Sequence, residues 1–163
     1  MSAPERSGFD DEFPNQDAHA LSALEITVID VEGADWASTM EVTPRVVNSS
    51  GALQGGLLAT LIDIMAGTAL LHGPDGYDQT TTMDMHVTYH AGARVGPVLA
   101  TAHVLRRGGR SASVRVEVID LGADRLPVAT GMLTFAARHL PEDQKHKSGP
   151  TWVLGKDERA STS

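Results

Sequence analysis

Gly55-Gly56-Leu57-Leu58-Ala59-Thr60-Leu61-Ile62-Asp63-Ile64-Met65-Ala66-Gly67-Thr68-Ala69-Leu70-Leu71 decides the fold, because its apolar residues follow no two-residue alternation and run on for longer than a strand. The stretch opens on a glycine pair and closes at His72-Gly73-Pro74, so it reads as one helix bounded by breakers. It is apolar on nearly every side, and such a helix has to be buried. It is shorter than a bilayer span and carries Asp63 and Gly67, so a transmembrane reading fails.

On either side of it the period returns to two. Upstream, Leu24, Ile26 and Val28 alternate with Glu25 and Thr27, and Trp36, Met40 and Val42 alternate with Ala37, Thr39 and Glu41. Glu32-Gly33-Ala34 lies between, and a hairpin is the simplest connection. Downstream, Met83, Met85, Val87 and Tyr89 oppose Thr82, Asp84, His86, Thr88 and His90. Val98, Ala100, Ala102 and Val104 mark the next strand, Ala112, Val114, Val116 and Val118 the one after, and Leu133 and Phe135 the last. Short turns such as Arg107-Gly108-Gly109-Arg110 and Leu121-Gly122-Ala123-Asp124 join the strands. The order is two strands, a helix and four strands, an α+β pattern. It predicts a curved antiparallel sheet of five to six strands wrapped around one long buried helix.

The chain has 163 residues, room for one core. Residues 1–19 and 141–163 are polar and aperiodic and read as flexible tails flanking a domain over 20–140. Hydrophobic residues make up 41% and charged residues 21%, enough to bury a core. There is no cysteine, which rules out disulfides, thiolate metal sites and cysteine nucleophiles. The formal charge of −8 argues against nucleic acid as a partner. The N-terminus is acidic and proline-containing where a secretory signal would be basic and then apolar, which points to a cytoplasmic protein. His86, His90 and His103 lack the spacing of a metal site, and neither G-x-S-x-G nor G-x-x-x-x-G-K occurs, so the sequence supports no metal centre, serine hydrolase or nucleotide hydrolase.

From residue 46 to 74, Asp63 is the only Asp, Glu, Lys or Arg. An isolated carboxylate in apolar surroundings is costly, so it protonates, finds partners or performs a function. It cannot cap its own helix, whose first turn lies two turns upstream. Gly55 and Gly56 stand at that first turn, where unpaired N–H groups and the positive dipole end let an oxyanion approach, although a glycine pair alone is more often a tight turn. Eight residues at about 1.5 Å rise separate Gly55 from Asp63 by roughly 12 Å, too far for both to reach one carbonyl. Two copies with antiparallel helices would set Asp63 of one beside Gly55 of the other, so the spacing predicts a homodimer or a dimer of dimers with shared sites.

The stretch Asn48-Ser49-Ser50-Gly51-Ala52-Leu53-Gln54-Gly55-Gly56, followed by Asp63, resembles the N-x-x-G-x-x-H-G-G…D signature of the hotdog-fold acyl-CoA thioesterases of the phenylacetate-degradation (PaaI) type. The likeness continues through Thr82-Met83-Asp84-Met85-His86-Val87-Thr88-Tyr89, Gly96 and the Arg106 to Arg110 hairpin, over residues 20–139. It implies hydrolysis of an acyl-CoA thioester in a homodimer or tetramer, with no cofactor beyond the coenzyme A of the substrate. Asp63 would act as base or nucleophile and the Gly55 N–H, beside Gly56, as oxyanion donor. Asn48 would help hold the water or the carboxylate, and Thr82 would stand near the scissile bond. Gln54 departs from the pattern: it takes the place of a His and cannot titrate near neutral pH, which leaves base chemistry to Asp63. Strand alternation puts Thr82 on the polar face, opposite Met83 and Met85. Arg106 and Arg110, in the main basic cluster, are the candidates for the phosphates of coenzyme A. The rival readings are an enoyl-CoA hydratase or dehydratase of the same fold, against which Gln54 counts, and a non-catalytic acyl-CoA-binding module.

Overall fold

The structure, a computed structural model, describes residues 21, 24–72 and 75–142. The N-terminal tail expected over 1–19 lies outside the described residues. So do Gly73 and Pro74 at the expected helix stop, and all but the first two residues of the expected C-terminal tail.

The helix, α1 (Gly55–Leu71), has the expected bounds. Two strands precede it, β1 (Ile26–Val28) and β2 (Trp36–Met40), and they pair antiparallel as a hairpin. Four follow: β3 (Gln79–Tyr89), β4 (Val98–Arg107), β5 (Ser111–Asp120) and β6 (Leu126–Arg138). All six form one antiparallel sheet in the order β1-β2-β4-β5-β6-β3. The expectation that short turns join all four later strands fails at β3. This strand pairs with β6, at the far edge, and reaches β4 only through the segment 90–97. The cause is the helix: running from β2 to β3 across one face of the sheet, it delivers the chain to the opposite edge.

The residues of β4 and β5 that alternate inward, Val98, Ala100, Ala102, Ala112, Val114, Val116 and Val118, are buried against the helix. From the helix come Leu58, Leu61, Ile62, Met65, Ala66, Ala69 and Leu70. Contact is close enough that a Cβ on Gly131 of β6 would stand 2.4 Å from Ile62 Cγ2, so only glycine lets the helix settle there. Arg107, from the end of β4, closes the other end of the helix. Its guanidinium donates to the carbonyls of Ala69 at 2.9 Å and Leu70 at 3.0 Å, supplying the cation that the last helical turn lacks.

The expected burial of the helix on every side is met on one side only. Gly56, Thr60, Asp63, Ile64 and Leu71 descend the opposite side at helical spacing and remain partly or fully exposed, Leu71 at 42%. One sheet covers one face of a cylinder.

Asp120, at the end of β5, is fully buried, with no ion pair among the described residues. Its carboxylate accepts from the backbone N–H groups of Gly96 (2.8 Å), Arg94 (2.9 Å), Val95 (3.1 Å) and Ala123 (3.3 Å), tying the 90–97 segment to the β5–β6 turn. Burial alone pushes the carboxyl pKa up; the four amides together outweigh it and hold it below the ordinary aspartate value. A lowered folded-state pKa means that this stabilisation is complete above the unfolded value, about 3.9, and is lost as pH falls through the folded one. Urea unfolding of Asp120→Ala at pH 7 is expected to show a loss of about 3 kcal/mol, because four amides lose their acceptor. Wild type should lose stability more steeply than Asp120→Asn between about pH 4 and pH 2.

Candidate active site

Asp63 lies half-buried midway along α1, on the side away from the sheet core. Thr82 Oγ1 donates to its Oδ1 at 2.8 Å, so the structure brings together two of the residues expected from sequence within one chain. Alternation alone had placed Thr82 on the polar face of β3, and this is corrected by a bulge. Thr82 pairs with Phe135 while Asp84 pairs with Thr134, leaving Met83 without a partner between them. The extra residue flips the first part of the strand. Thr82 therefore shares the inner face with Met85 and Val87, whose partners Leu133 and Gly131 face the helix, and Met83 stands out at 67% exposure.

The glycine pair opens the helix half its length away. Leu57 and Leu58 N–H both donate to the Gln54 carbonyl at 3.0 Å, and among the described residues no acceptor faces Gly55 N–H or Gly56 N–H. Gln54 occupies the N-cap position without a side-chain cap bond, exposed to water. Asn48 Oδ1 accepts from Ser50 N (2.9 Å), Ser50 Oγ (2.7 Å) and Ala52 N (3.3 Å), so this oxygen shapes the turn that leads into the helix. Only its amide nitrogen remains for another partner.

A cleft of about 330 Å³ opens at this end of the helix, lined by Asn48, Gly55, Leu58, Tyr89, His90 and Arg94. Asp63 is not among its lining residues. A second recess, of about 350 Å³, lies on the outer face of the sheet between Thr101, Glu117 and Arg125, away from the helix. Arg106 and Arg110 lie at the opposite end of α1, on the hairpin next to Arg107; Arg106 donates to Ser111 Oγ at 3.4 Å. Two residues at the cleft were missed in the sequence. Arg94 donates to the Ser50 carbonyl and stands at the rim; its signal is one cation in the otherwise small and apolar run Ala91-Gly92-Ala93-Arg94-Val95-Gly96-Pro97. Tyr89 reaches the Gly55 carbonyl with its hydroxyl, at 2.9 Å, a contact that strand periodicity does not announce.

Residues 50–125, which include Gly55, Asp63 and Thr82, match the family model of the thioesterase superfamily. Acyl-coenzyme A thioesterase 13 of Homo sapiens is 33% identical over 115 residues, spanning 70% of this chain and 76% of the human protein. The chain belongs to the thioesterase superfamily. The crystal structure of zebra fish thioesterase superfamily member 2 superposes with a TM-score of 0.61 at 28% identity, over 69% of this chain and 80% of that one. A Streptococcus mutans protein crystallised with acetyl CoA shares the fold, with a TM-score of 0.62 at 21% identity, over 70% of this chain and 89% of its own. The protein is thus a thioester hydrolase with the hotdog architecture, one helix held by an antiparallel sheet. Among the described residues, no helix is long and apolar enough to cross a membrane, and no three His, Asp or Glu side chains stand together as metal ligands would.

Thr82→Ala removes the hydroxyl from the Asp63 carboxylate. Hydrogen bonds to charged groups contribute about 1.5–3 kcal/mol, so if Asp63 carries the chemistry, turnover is expected to fall about tenfold or more, while Thr82→Ser keeps most of it. Steady-state thiol release by the two variants checks this.

Proposed function

We propose that the protein hydrolyses an apolar or aromatic acyl-CoA to the free acid and coenzyme A, at sites shared between two copies of the chain. The observation that carries this reading is the separation within one chain. Asp63, oriented by Thr82, lies on the uncovered side of the helix, and the free Gly55 N–H opens a cleft that Asp63 does not line. A second copy with its helix antiparallel to the first brings the two halves together and covers Ile64 and Leu71, which a single chain leaves to water.

The chemistry then follows. Asp63 takes a proton from water as the water oxygen bonds to the thioester carbon, and the carbonyl oxygen gains the negative charge. Gly55 N–H of the other copy donates to that oxyanion, reinforced by the positive end of its helix. When the carbonyl re-forms, the carbon–sulfur bond breaks and the thiolate of coenzyme A leaves, recovering the proton held by Asp63. The same carboxylate can instead attack the carbon directly, breaking the carbon–sulfur bond and expelling the thiolate of coenzyme A to give an anhydride. Water then opens the anhydride to the free acid and a protonated Asp63, which passes its proton to the thiolate. Gln54 offers an amide, not an acid, beside this carbonyl. In this reading the Asn48 amide nitrogen, which Oδ1's bonds to the turn leave without a role there, donates to the water or the carboxylate once two copies meet.

Coenzyme A is long and anionic, and two basic groups flank such a shared site. Arg94 stands at the rim of the cleft on the chain that donates Gly55. Arg106 and Arg110 belong to the chain that supplies Asp63, where the eight residues from Asp63 to Leu71 put the helix end about 12 Å from that carboxylate. Both groups suit phosphate better than the rest of an acidic surface does.

Asp63→Asn is expected to remain a folded dimer and to lose turnover by about two orders of magnitude or more across a panel of aliphatic and aromatic acyl-CoA esters, read as thiol release. Near-normal turnover on any ester would sink this assignment, and ligand binding without thiol release in wild type would mark a binding module instead. Ile64→Glu puts a charge on the uncovered helix face. It is expected to sediment as a monomer and to be inactive, since neither half of the site works alone.

A further inference from the structure

The helix that opens on Gly55-Gly56 begins on backbone bonds to Gln54 but without a side-chain cap. Gln54 makes no side-chain cap bond, and the first turn carries no acidic residue. Two glycines without Cβ atoms leave the backbone more freedom here than at any ordinary helix start. Yet the N–H groups of this turn are the proposed oxyanion donors, and such donors work only if their direction is fixed before the charge develops.

Tyr89 reaches this turn from outside the helix. It is the last residue of β3 and pairs with Ala129 of β6 on the inner face of the sheet. Its hydroxyl lies 2.9 Å from the Gly55 carbonyl oxygen, and since a carbonyl can only accept, the phenol is the donor. Its ring atoms come within 3.6 Å of where a Cβ on Gly55 would stand, so the ring lies against this glycine. Thr60 Oγ1 holds the next carbonyl, that of Gly56, at 2.9 Å from within the helix. The fold has little need of the phenol: Tyr89 is 51% exposed, and a hydrogen bond open to water adds little to stability.

The Gly55 carbonyl and the Gly56 N–H belong to one peptide plane. A donor on the carbonyl oxygen fixes the rotation of that plane, and it polarises the N–H at the other end into a stronger donor. We propose that Tyr89 is a positioning residue for catalysis, its hydroxyl orienting and polarising the first helical peptide so that the Gly55 and Gly56 N–H groups meet the oxyanion together. The proposal rests on the reading of Gly55 and Asp63 as the two halves of a thioesterase site. It adds Gly56 N–H as a second donor. It also separates Tyr89 from a mere wall of the cleft, because the effect belongs to the hydroxyl and to the transition state, not to the ring and the bound substrate.

Tyr89→Phe in the full chain is the test, since it keeps the ring and removes the donor. With an acyl-CoA that wild type turns over, kcat is expected to fall five- to twentyfold. The KM, the Kd of a non-hydrolysable thioether analogue of that substrate and the Tm should stay as in wild type, and the amide proton resonance of Gly56 should move upfield. Unchanged kcat overturns the proposal. A fall in kcat matched by an equal weakening of thioether binding also overturns it, making Tyr89 a binding residue only, and a fall accompanied by a lowered Tm assigns it to the fold. Asp63→Asn run beside it separates the two ideas. If Asp63→Asn is inactive and Tyr89→Phe behaves as wild type, the Tyr89 proposal alone is wrong, whereas an active Asp63→Asn removes the site on which it rests.

Discussion

A helix with apolar residues all around its circumference has to be surrounded, and a six-stranded sheet supplies only one wall. Most of the architecture answers that mismatch. The helix crosses the inner face and throws β3 to the far edge, the inward valines and alanines of β4 and β5 fill the near side, and Gly131 lets Ile62 approach the sheet closely. What the sheet leaves uncovered is the side carrying Ile64 and Leu71, with Asp63 at its margin, met by Thr82 of the edge strand β3. The uncovered face and the lone carboxylate are therefore one feature. The same geometry that leaves apolar surface in need of a second wall keeps the Asp63 oxygens out of the core.

Two carboxylates in this chain show opposite uses of the same group. Asp120 is fully buried and satisfied by four backbone amides, which hold two loops together and leave it nothing to offer a ligand. Asp63 has one hydrogen bond among the described residues, from a hydroxyl that orients it while leaving lone pairs free. A satisfied acid serves the fold and an under-coordinated one is available for chemistry. Asp120 is nonetheless tied to the candidate site, because the segment it anchors carries Arg94 to the rim of the cleft beside Gly55.

Much of this was legible in the residues. Period and breakers set the helix over Gly55–Leu71 and the six strands, and a charge without company singled out Asp63. The reading failed where geometry departs from period. Nothing in Thr82-Met83-Asp84 announces that Met83 bulges, so the face on which Thr82 lies came out wrong. The pairing of β3 with β6 was equally hidden, since sequence neighbours pair by default and only the crossover on the helix overrides it. Asn48 and Asp120 illustrate a third kind of blindness. Apart from the Ser50 hydroxyl on Asn48, their partners are backbone amides, and a main chain carries no residue-specific signature. Tyr89 was within view as the end of a strand, but its bond to Gly55 spans 34 positions and depends on where the helix starts relative to the strand's end.

The bulge at Met83 has a consequence for how this site can change. Because a strand presents alternate residues to alternate faces, the identity of the group beside Asp63 is set by the bulge as much as by chemistry. Straightening the strand with Met83 kept in the ladder would exchange the faces of every position before it without altering a letter, turning Thr82 outward and presenting Met83 in its place. Removing Met83 altogether would leave Thr82 opposite Phe135 and Asp84 opposite Thr134 in an unbroken ladder. The residue that bulges is itself turned outward, so its side chain is free to vary. Relatives should thus tolerate almost any amino acid at position 83, or a gap there, while Thr82 keeps its face. A reporter group attached there would sit within two residues of the carboxylate's partner while leaving that contact intact.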